Sequence, residues 1–151
     1  MRWFVAGIVV GLAACSEPSS RLLPAHQIDG DTIPVALTAE PGDAERGETI
    51  FAGRDQGHCV LCHAVDGLVA EFQGNVGPDL SLAGDRLTDG QLRLRIVDYQ
   101  IVRPGTLMPS YYRIHDLYQV GEAFDGAPIL TPQEVEDLVA YLSARRSDDE
   151  R

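Results

Sequence analysis

The sequence predicts an all-α domain of three to four helices joined by long loops. Three segments carry apolar residues at helical spacing after favourable N-terminal caps, and no segment shows a strand pattern of comparable quality. The connecting loops are long and rich in Gly and Pro for a chain of 151 residues. Because such loops in a compact domain are usually functional, we expect them to wrap a large apolar group that completes the core.

The first predicted helix begins after Asp43 and ends near Arg54. Asp favours the N-cap because its carboxylate accepts hydrogen bonds from the first free N–H groups of a helix. Gly47, Ile50 and Phe51 then follow the i, i+3, i+4 spacing of one helical face. We expect this face to be buried.

The second predicted helix begins near Thr88. Thr88 and Gln91 have the spacing of a capping box, in which each side chain binds a backbone N–H of the other residue. Arg93 and Arg95 are expected to point to solvent. The buried stripe is predicted at Leu92, Ile96 and Val97.

The third predicted helix has the clearest start. Thr131 is its N-cap, Pro132 occupies the first helical position and Glu134 completes a capping box. Its buried face is predicted at Val135, Leu138, Val139 and Leu142.

The N-terminus is predicted to be an export signal over residues 1–14. One Arg precedes about a dozen apolar residues that end in small ones, a run too short to span a bilayer. Leu12-Ala13-Ala14-Cys15 resembles a bacterial lipobox, in which Cys15 would be acylated and become the mature N-terminus. An ordinary signal with an unused thiol at Cys15 is the alternative. The lipobox predicts a periplasmic protein anchored to a membrane by lipid.

A tether over residues 15–40, a compact domain over 41–146 and a disordered tail over 147–151 are expected to follow. The tether contains several Pro residues, and part of it can pack on the domain. The chain has 23 acidic and 12 basic side chains, a net charge of -11, and every basic residue is Arg. This balance excludes a general nucleic-acid binder, because phosphate binding needs clustered positive charge.

The main chemical motif is Cys-x-x-Cys-His at Cys59, Cys62 and His63. Two thiols one turn apart can form thioethers with the two vinyl groups of a haem, and the adjacent imidazole can bind the iron. We therefore predict one covalently attached haem c. His58, just before the motif, is expected to be solvated.

Three alternatives use the two cysteines differently. A structural zinc site needs four ligands, yet His26, His58 and His115 are scattered and no other Cys remains in the domain. A redox dithiol needs a strand–helix context that the sequence lacks. A disulfide over so short a span gains little loop-closure entropy. Haem attachment is the favoured interpretation.

Two further residues are predicted to complete the haem site. Met108 is the single Met of the mature chain and lies in a Pro-containing loop, so we predict it as the second axial ligand. The alternatives are a Met that fills the core and His115 as the ligand. The Pro78 carbonyl is the predicted acceptor for the second ring N–H of His63, with an ordinary Gly-Pro turn as the alternative.

The order of these features resembles the class I cytochrome c fold. Helix, Cys-x-x-Cys-His, Gly-Pro-x-Leu loop, helix, Met-Pro loop and final helix occur in that sequence. In this family the first and last helices cross through a Gly and aromatic residues. Gly47, Phe51 and Tyr141 occupy the matching positions.

A longer series of motifs is similar to the SoxX family of monohaem cytochromes, over about residues 33–143. The motifs are PGD at 41–43, FQGN at 72–75, QLRLRIVD at 91–98, MPSYYR at 108–113, PILT at 128–131 and VED at 135–137. The lipobox is a departure, since subunits of this family are usually soluble in the periplasm.

The resemblance implies an electron-accepting subunit of a heteromeric L-cysteine S-thiosulfotransferase, SoxAX. A SoxA-like cytochrome subunit would hold the catalytic haem, where thiosulfate is oxidatively joined to a cysteine of the SoxYZ carrier. The chain itself would have no catalytic residue and would pass electrons to a downstream cytochrome. A free-standing, lipid-tethered electron shuttle is the alternative. A subunit interface is expected to include Tyr111, Tyr112, Ile114 and Leu117.

Overall fold

The computed structural model of the protein describes residues 27–55 and 57–147. The predicted signal, Cys15, the start of the tether and residues 148–151 of the predicted tail lie outside the described residues. The α-helices of the described residues are α1 (Ala44–Ala52), α2 (Ala83–Arg86), α3 (Asp89–Val102) and α4 (Pro132–Ser143). Short 3-10 turns lie at Cys59–Leu61 and Glu122–Phe124. Over the same residues the one β pairing is an isolated bridge between Asp29 and Thr32. The fold is all-α, as predicted.

Helix α1 begins as the sequence predicts and ends slightly earlier. The Asp43 carboxylate accepts hydrogen bonds from the N–H groups of Glu45 and Arg46, both at 2.9 Å. The helix ends at Ala52 because Gly53 adopts an extended backbone, with φ -67° and ψ 142°. The predicted buried face is confirmed at Gly47, Ile50 and Phe51.

Helices α3 and α4 both have the predicted capping boxes. In each, the Thr side chain accepts from a backbone N–H three residues on, and the Gln91 or Glu134 side chain accepts from the N-cap N–H. The predicted stripe of α3 and face of α4 are buried. Single-turn helix α2 precedes α3 and was not predicted by any apolar periodicity.

The expectation that Arg93 points to solvent is wrong. Its guanidinium is buried and donates to both carboxylate oxygens of Glu136 on α4, at 2.7 and 2.8 Å, and to the Ile33 carbonyl oxygen at 2.7 Å. The reason is tertiary packing. Helix α4 and the N-terminal segment cover this side of α3, so Arg93 faces protein although it lies outside the predicted apolar stripe. Arg95 stays near the surface, 3.2 Å from Asp31.

Part of the predicted tether packs on the domain. Ile33 is buried, and its N–H donates to the Gly90 carbonyl at 3.0 Å. The N–H of Leu37 donates to the Glu136 carboxylate at 2.9 Å. Because Glu136 also binds Arg93, one buried carboxylate joins the N-terminal segment to α3 and α4.

Helices α1 and α4 pack closely where they cross. A methyl group on Gly47 would overlap the Asp137 carbonyl and lie 2.7 Å from Tyr141 Cβ. The rings of Phe51 and Tyr141 pack next to this point, with centroids 5.6 Å apart. The Asp137 carboxylate also accepts from the Asp43 N–H at 2.8 Å, which joins the start of α1 to α4. The crossing therefore uses the residues that the family resemblance implies.

None of the helices in the described part of the chain has the length and apolar character needed to cross a bilayer.

Candidate functional site

The Cys-x-x-Cys-His motif forms a tight turn after α1. The N–H groups of Cys62 and His63 both donate to the Cys59 carbonyl, at 3.0 and 2.9 Å. Cys59 is half-buried and Cys62 is exposed, and both thiols are free. The structure therefore has no disulfide between them. His58 has a left-handed backbone, with φ 54°, and its side chain is exposed, as expected.

The ring of His63 is oriented by the loop that follows the motif. Its Nδ1 lies 2.7 Å from the carbonyl oxygen of Pro78. Because a carbonyl oxygen can only accept, Nδ1 carries the proton and the lone pair of Nε2 is left for a ligand. Gly77 permits this approach, since a Cβ there would lie 2.6 Å from Nδ1 and clash with the ring. The Gly77 N–H also donates to the Cys62 carbonyl at 2.8 Å.

An apolar cleft brings Cys59, His63 and Met108 together. Two of these residues belong to the motif and the third comes from a distant loop, so only the tertiary fold places them side by side. Cys62 and Pro78 do not line the cleft; they flank it as the neighbours of His63. The cleft is lined by Phe51, Cys59, His63, Leu80, Ile96, Met108, Tyr111, Leu138 and Leu142.

The cleft disfavours charge. Burial raises the pKa of the Cys59 thiol to about 12. Burial also raises the pKa of the Tyr111 hydroxyl, so both groups are neutral at pH 7. Walls of this kind suit a flat apolar ligand.

The Met108 loop, defined here as residues 103–113, connects the end of α3 to the cleft. Gly105 takes a left-handed backbone at φ 80°, and the Met108 N–H donates to Thr106 Oγ1 at 3.2 Å. Beyond Met108, Ser110 Oγ donates to Asp98 Oδ1 at 2.5 Å. Asp98 was missed by the sequence predictions. One signal was available: Asp98 lies four residues after Leu94, and residues at this spacing share a helical face. Leu94 is buried on α3.

The expectation that Tyr111 and Tyr112 form an exposed interface is wrong. Each is 8% exposed, because Tyr111 lines the cleft and Tyr112 belongs to the hydrophobic core. Ile114 and Leu117, the other two candidates, are half-buried. Three exposed apolar side chains lie within the motif or in the segment that follows it: Leu61, Phe72 and Val76.

The donor set of the cleft fits a haem. Two free thiols on one turn can form thioethers, one imidazole nitrogen is available and a thioether sulfur lies on the same apolar cleft. Across residues 27–55 and 57–147, no group of three or more His, Cys, Asp or Glu side chains could hold a metal ion by itself. The zinc alternative therefore has no ligand set in that part of the chain.

Comparison with known proteins gives two similarities. The cytochrome c family matches residues 44–145. Among solved structures, the chain is similar to the crystal structure of SoxXA from P. pantotrophus, with 35% sequence identity and a TM-score of 0.73. That similarity covers 78% of this chain and 91% of the other. No curated protein sequence matches this chain at a significant level.

Proposed function

Because this chain belongs to the cytochrome c family and is a SoxX-like cytochrome with covalently attached haem c, we propose that it is the electron-transfer subunit of a SoxAX-type thiosulfate-oxidising complex. The observation that carries the proposal is that His63 and Met108 line one cleft. With an imidazole and a thioether as axial ligands, the chain's own side chains leave no coordination position for substrate.

Each residue of the site has a proposed role. Cys59 and Cys62 would hold the haem covalently, and His63 and Met108 would be its axial ligands. The Pro78 carbonyl keeps Nδ1 of His63 protonated, which leaves the lone pair of Nε2 for the iron. When bound, the haem supplies a one-electron couple. The apolar side chains of the cleft exclude water and favour the less charged, reduced form.

The similarity to SoxXA supports a SoxA-like partner, and the roles given to SoxYZ and to a downstream cytochrome are part of the proposal. A SoxA-like subunit would hold the catalytic haem at which thiosulfate is joined to a cysteine of SoxYZ. This chain would accept the electrons one at a time and pass them to a downstream cytochrome. The predicted export signal and the predicted acylation of Cys15 support a periplasmic protein held at a membrane.

The proposed contact with the SoxA-like subunit is the apolar surface of Leu61, Phe72 and Val76. These side chains are 39%, 58% and 67% exposed. They belong to neighbouring segments, because the Gly74 N–H donates to the Val60 carbonyl at 2.8 Å and the Gly77 N–H to the Cys62 carbonyl. The surface therefore adjoins Cys62, one of the two cysteines that would hold the haem.

Purification of the tagged, full-length protein from its native host tests this function. We expect a second haem protein to co-purify and thiosulfate with SoxYZ to reduce the haem of this chain. Val76→Glu should weaken the complex by at least about 30-fold, as loss of a buried hot spot of about 2 kcal/mol does. Val35→Glu, at a side chain that is 71% exposed in the N-terminal segment, should leave it intact. If the monohaem protein purifies alone and its haem is not reduced by thiosulfate with SoxYZ, the protein is instead a free electron shuttle.

A further inference from the structure

We propose that Asp98 is a positioning residue for the iron ligand: it holds the end of the Met108 loop and thereby keeps the Met108 sulfur in the cleft. This proposal rests on the axial role given to Met108 above. It concerns a residue outside the haem-binding motifs, on the helix that precedes the loop.

The first observation is a break in helix α3. Asp98 has φ -160° and ψ 89°, which is extended backbone inside an otherwise helical segment. At this break the Val97 carbonyl accepts a hydrogen bond from the N–H of Tyr112, at 3.2 Å. Tyr112 belongs to the Met108 loop. The interruption of the helix therefore provides a backbone attachment point for the loop.

The second observation is the set of partners of the Asp98 carboxylate, which is buried. Oδ1 accepts from Ser110 Oγ at 2.5 Å and from the Gln100 N–H at 3.2 Å. Oδ2 lies 3.4 Å from Nε of Arg113. A buried carboxylate is costly unless it is paired and hydrogen-bonded, and here two of its partners come from the Met108 loop.

The third observation is the place of these contacts relative to Met108. Ser110 follows Met108 after a single residue, Pro109, whose ring restricts the backbone. On the other side of Met108, Leu107 is 88% exposed, so this neighbour adds little packing. The position of the sulfur therefore depends strongly on where Ser110 is held.

The expected consequence of losing Asp98 is a larger population in which Met108 is dissociated from the iron. An external ligand such as imidazole binds only to that population. Its apparent affinity therefore rises in proportion to the dissociated fraction. A merely structural role of Asp98 would lower the free energy of unfolding without changing this affinity.

The test is imidazole titration of the ferric, full-length holoprotein. We expect Asp98→Ala to raise the apparent imidazole affinity by about tenfold or more and to weaken the thioether-to-iron charge-transfer band, with Asp98→Asn intermediate. Glu136→Ala is the matched control, since Glu136 is also a buried carboxylate that pairs with an Arg. It should destabilise the fold and leave the imidazole affinity within about twofold.

Ser110→Ala covers the case in which Asp98→Ala does not fold, because it removes only the hydroxyl that binds Asp98. It should raise the imidazole affinity by about threefold or more. The proposal is overturned if Ser110→Ala and the folded Asp98 variants bind imidazole like the unmodified protein. The titration uses the isolated cytochrome, so it is independent of whether a SoxA-like partner co-purifies.

Discussion

His63 is oriented by backbone atoms of a neighbouring loop. Its Nδ1 donates to the Pro78 carbonyl, and Gly77 leaves the room that the ring needs. A backbone acceptor has no side-chain rotamers, so the tautomer and the ring plane are both set by the path of the loop. The residue proposed to bind the iron on this side is therefore held in one tautomer and one orientation by the protein itself.

Met108→Ala should remove the proposed second axial ligand. We expect loss of the thioether-to-iron charge-transfer band and a reduction potential lower by on the order of 0.1 V or more, since axial ligands set potentials over a range of about 0.8 V. Absorption spectroscopy and a redox titration of the holoprotein measure both. Leu107→Ala, at the exposed neighbour, should change neither. An unchanged band in Met108→Ala would assign the position to another side chain.

At the scale of elements, the α1–α4 crossing brings two helices into backbone contact. Gly42 lies just before α1 and Gly47 lies within it, and both face the backbone of α4. A Cβ on Gly42 would overlap the Glu136 carbonyl, and a Cβ on Gly47 would overlap the Asp137 carbonyl. At both positions, a residue with a Cβ would prevent this close approach. Because α4 contributes Leu138 and Leu142 to the cleft, the spacing of the two helices also sets the shape of the haem site.

Gly47→Ala should force α1 and α4 apart. Because the new methyl group meets backbone rather than a flexible side chain, we expect a loss of about 2–3 kcal/mol in the free energy of unfolding. Denaturant unfolding of the holoprotein, followed by circular dichroism, measures it. Gly121→Ala is the control, because its nearest atom would lie 3.8 Å away, and it should change stability by less than about 0.5 kcal/mol. Equal effects of the two variants would contradict the crossing.

The ion pair between Arg46 and Asp137 makes the attachment of α1 to α4 dependent on pH. Burial alone would raise the pKa of Asp137, but hydrogen bonds from Arg46, the Asp43 N–H and Gln133 outweigh it and hold this pKa below its usual value of 3.8. A lowered folded-state pKa contributes stability above the unfolded pKa. That contribution is lost as the pH falls through the folded value.

Asp137→Asn should therefore destabilise the protein at pH 7 and have less effect in acid. We expect a loss of about 1–3 kcal/mol at pH 7, because the variant leaves buried hydrogen-bonding groups poorly matched. The difference from the unmodified protein should shrink below about pH 4. Unfolding curves at pH 7, 5 and 3 provide the measurement, with Asp125→Asn, at an exposed position, as the control. A difference that does not depend on pH would be inconsistent with this ion pair.

At the scale of the whole molecule, local chemistry was predictable and tertiary environment was not. The capping boxes at Thr88 and Thr131 depend on side chains within three residues, so the sequence alone predicts both helix starts. The sequence predicts that Arg93 points to solvent, and this is wrong because its burial depends on α4 and on a segment about 60 residues away. The spacing of apolar residues along one helix contains no information about burial by distant segments.

The same division holds for the site. The spacing of Cys59, Cys62 and His63 is local and predicts haem attachment directly. The place of Met108 beside them on the cleft follows only from the fold, although its choice as a ligand needed no structure. The spacing from Leu94 was a signal for a buried Asp98, but the helix break there could not be predicted, because it is stabilised by the returning Met108 loop rather than by a Gly or Pro in the sequence.

The net charge of -11 affects how the molecule can be held at a membrane. Anionic lipid headgroups attract clusters of Lys and Arg, whereas this domain would be repelled within a Debye length of such a surface. The helices of the described residues do not span a bilayer. We propose that acyl chains on Cys15 attach this protein to the membrane, each contributing about 0.8 kcal/mol per buried CH₂.

Cys15→Ala should release the protein from the membrane without changing its haem content. The proposed acylation site is separate from Cys59 and Cys62, so haem attachment should proceed as before. Fractionation of cells into membrane and periplasm, with haem absorption in each fraction, measures the outcome. Labelling with a fatty acid should mark the protein that keeps Cys15 and not Cys15→Ala. Ser16→Ala is the matched control and should stay in the membrane fraction. If Cys15→Ala also stays there and still takes up the label, the lipid is attached elsewhere and the lipobox interpretation is wrong.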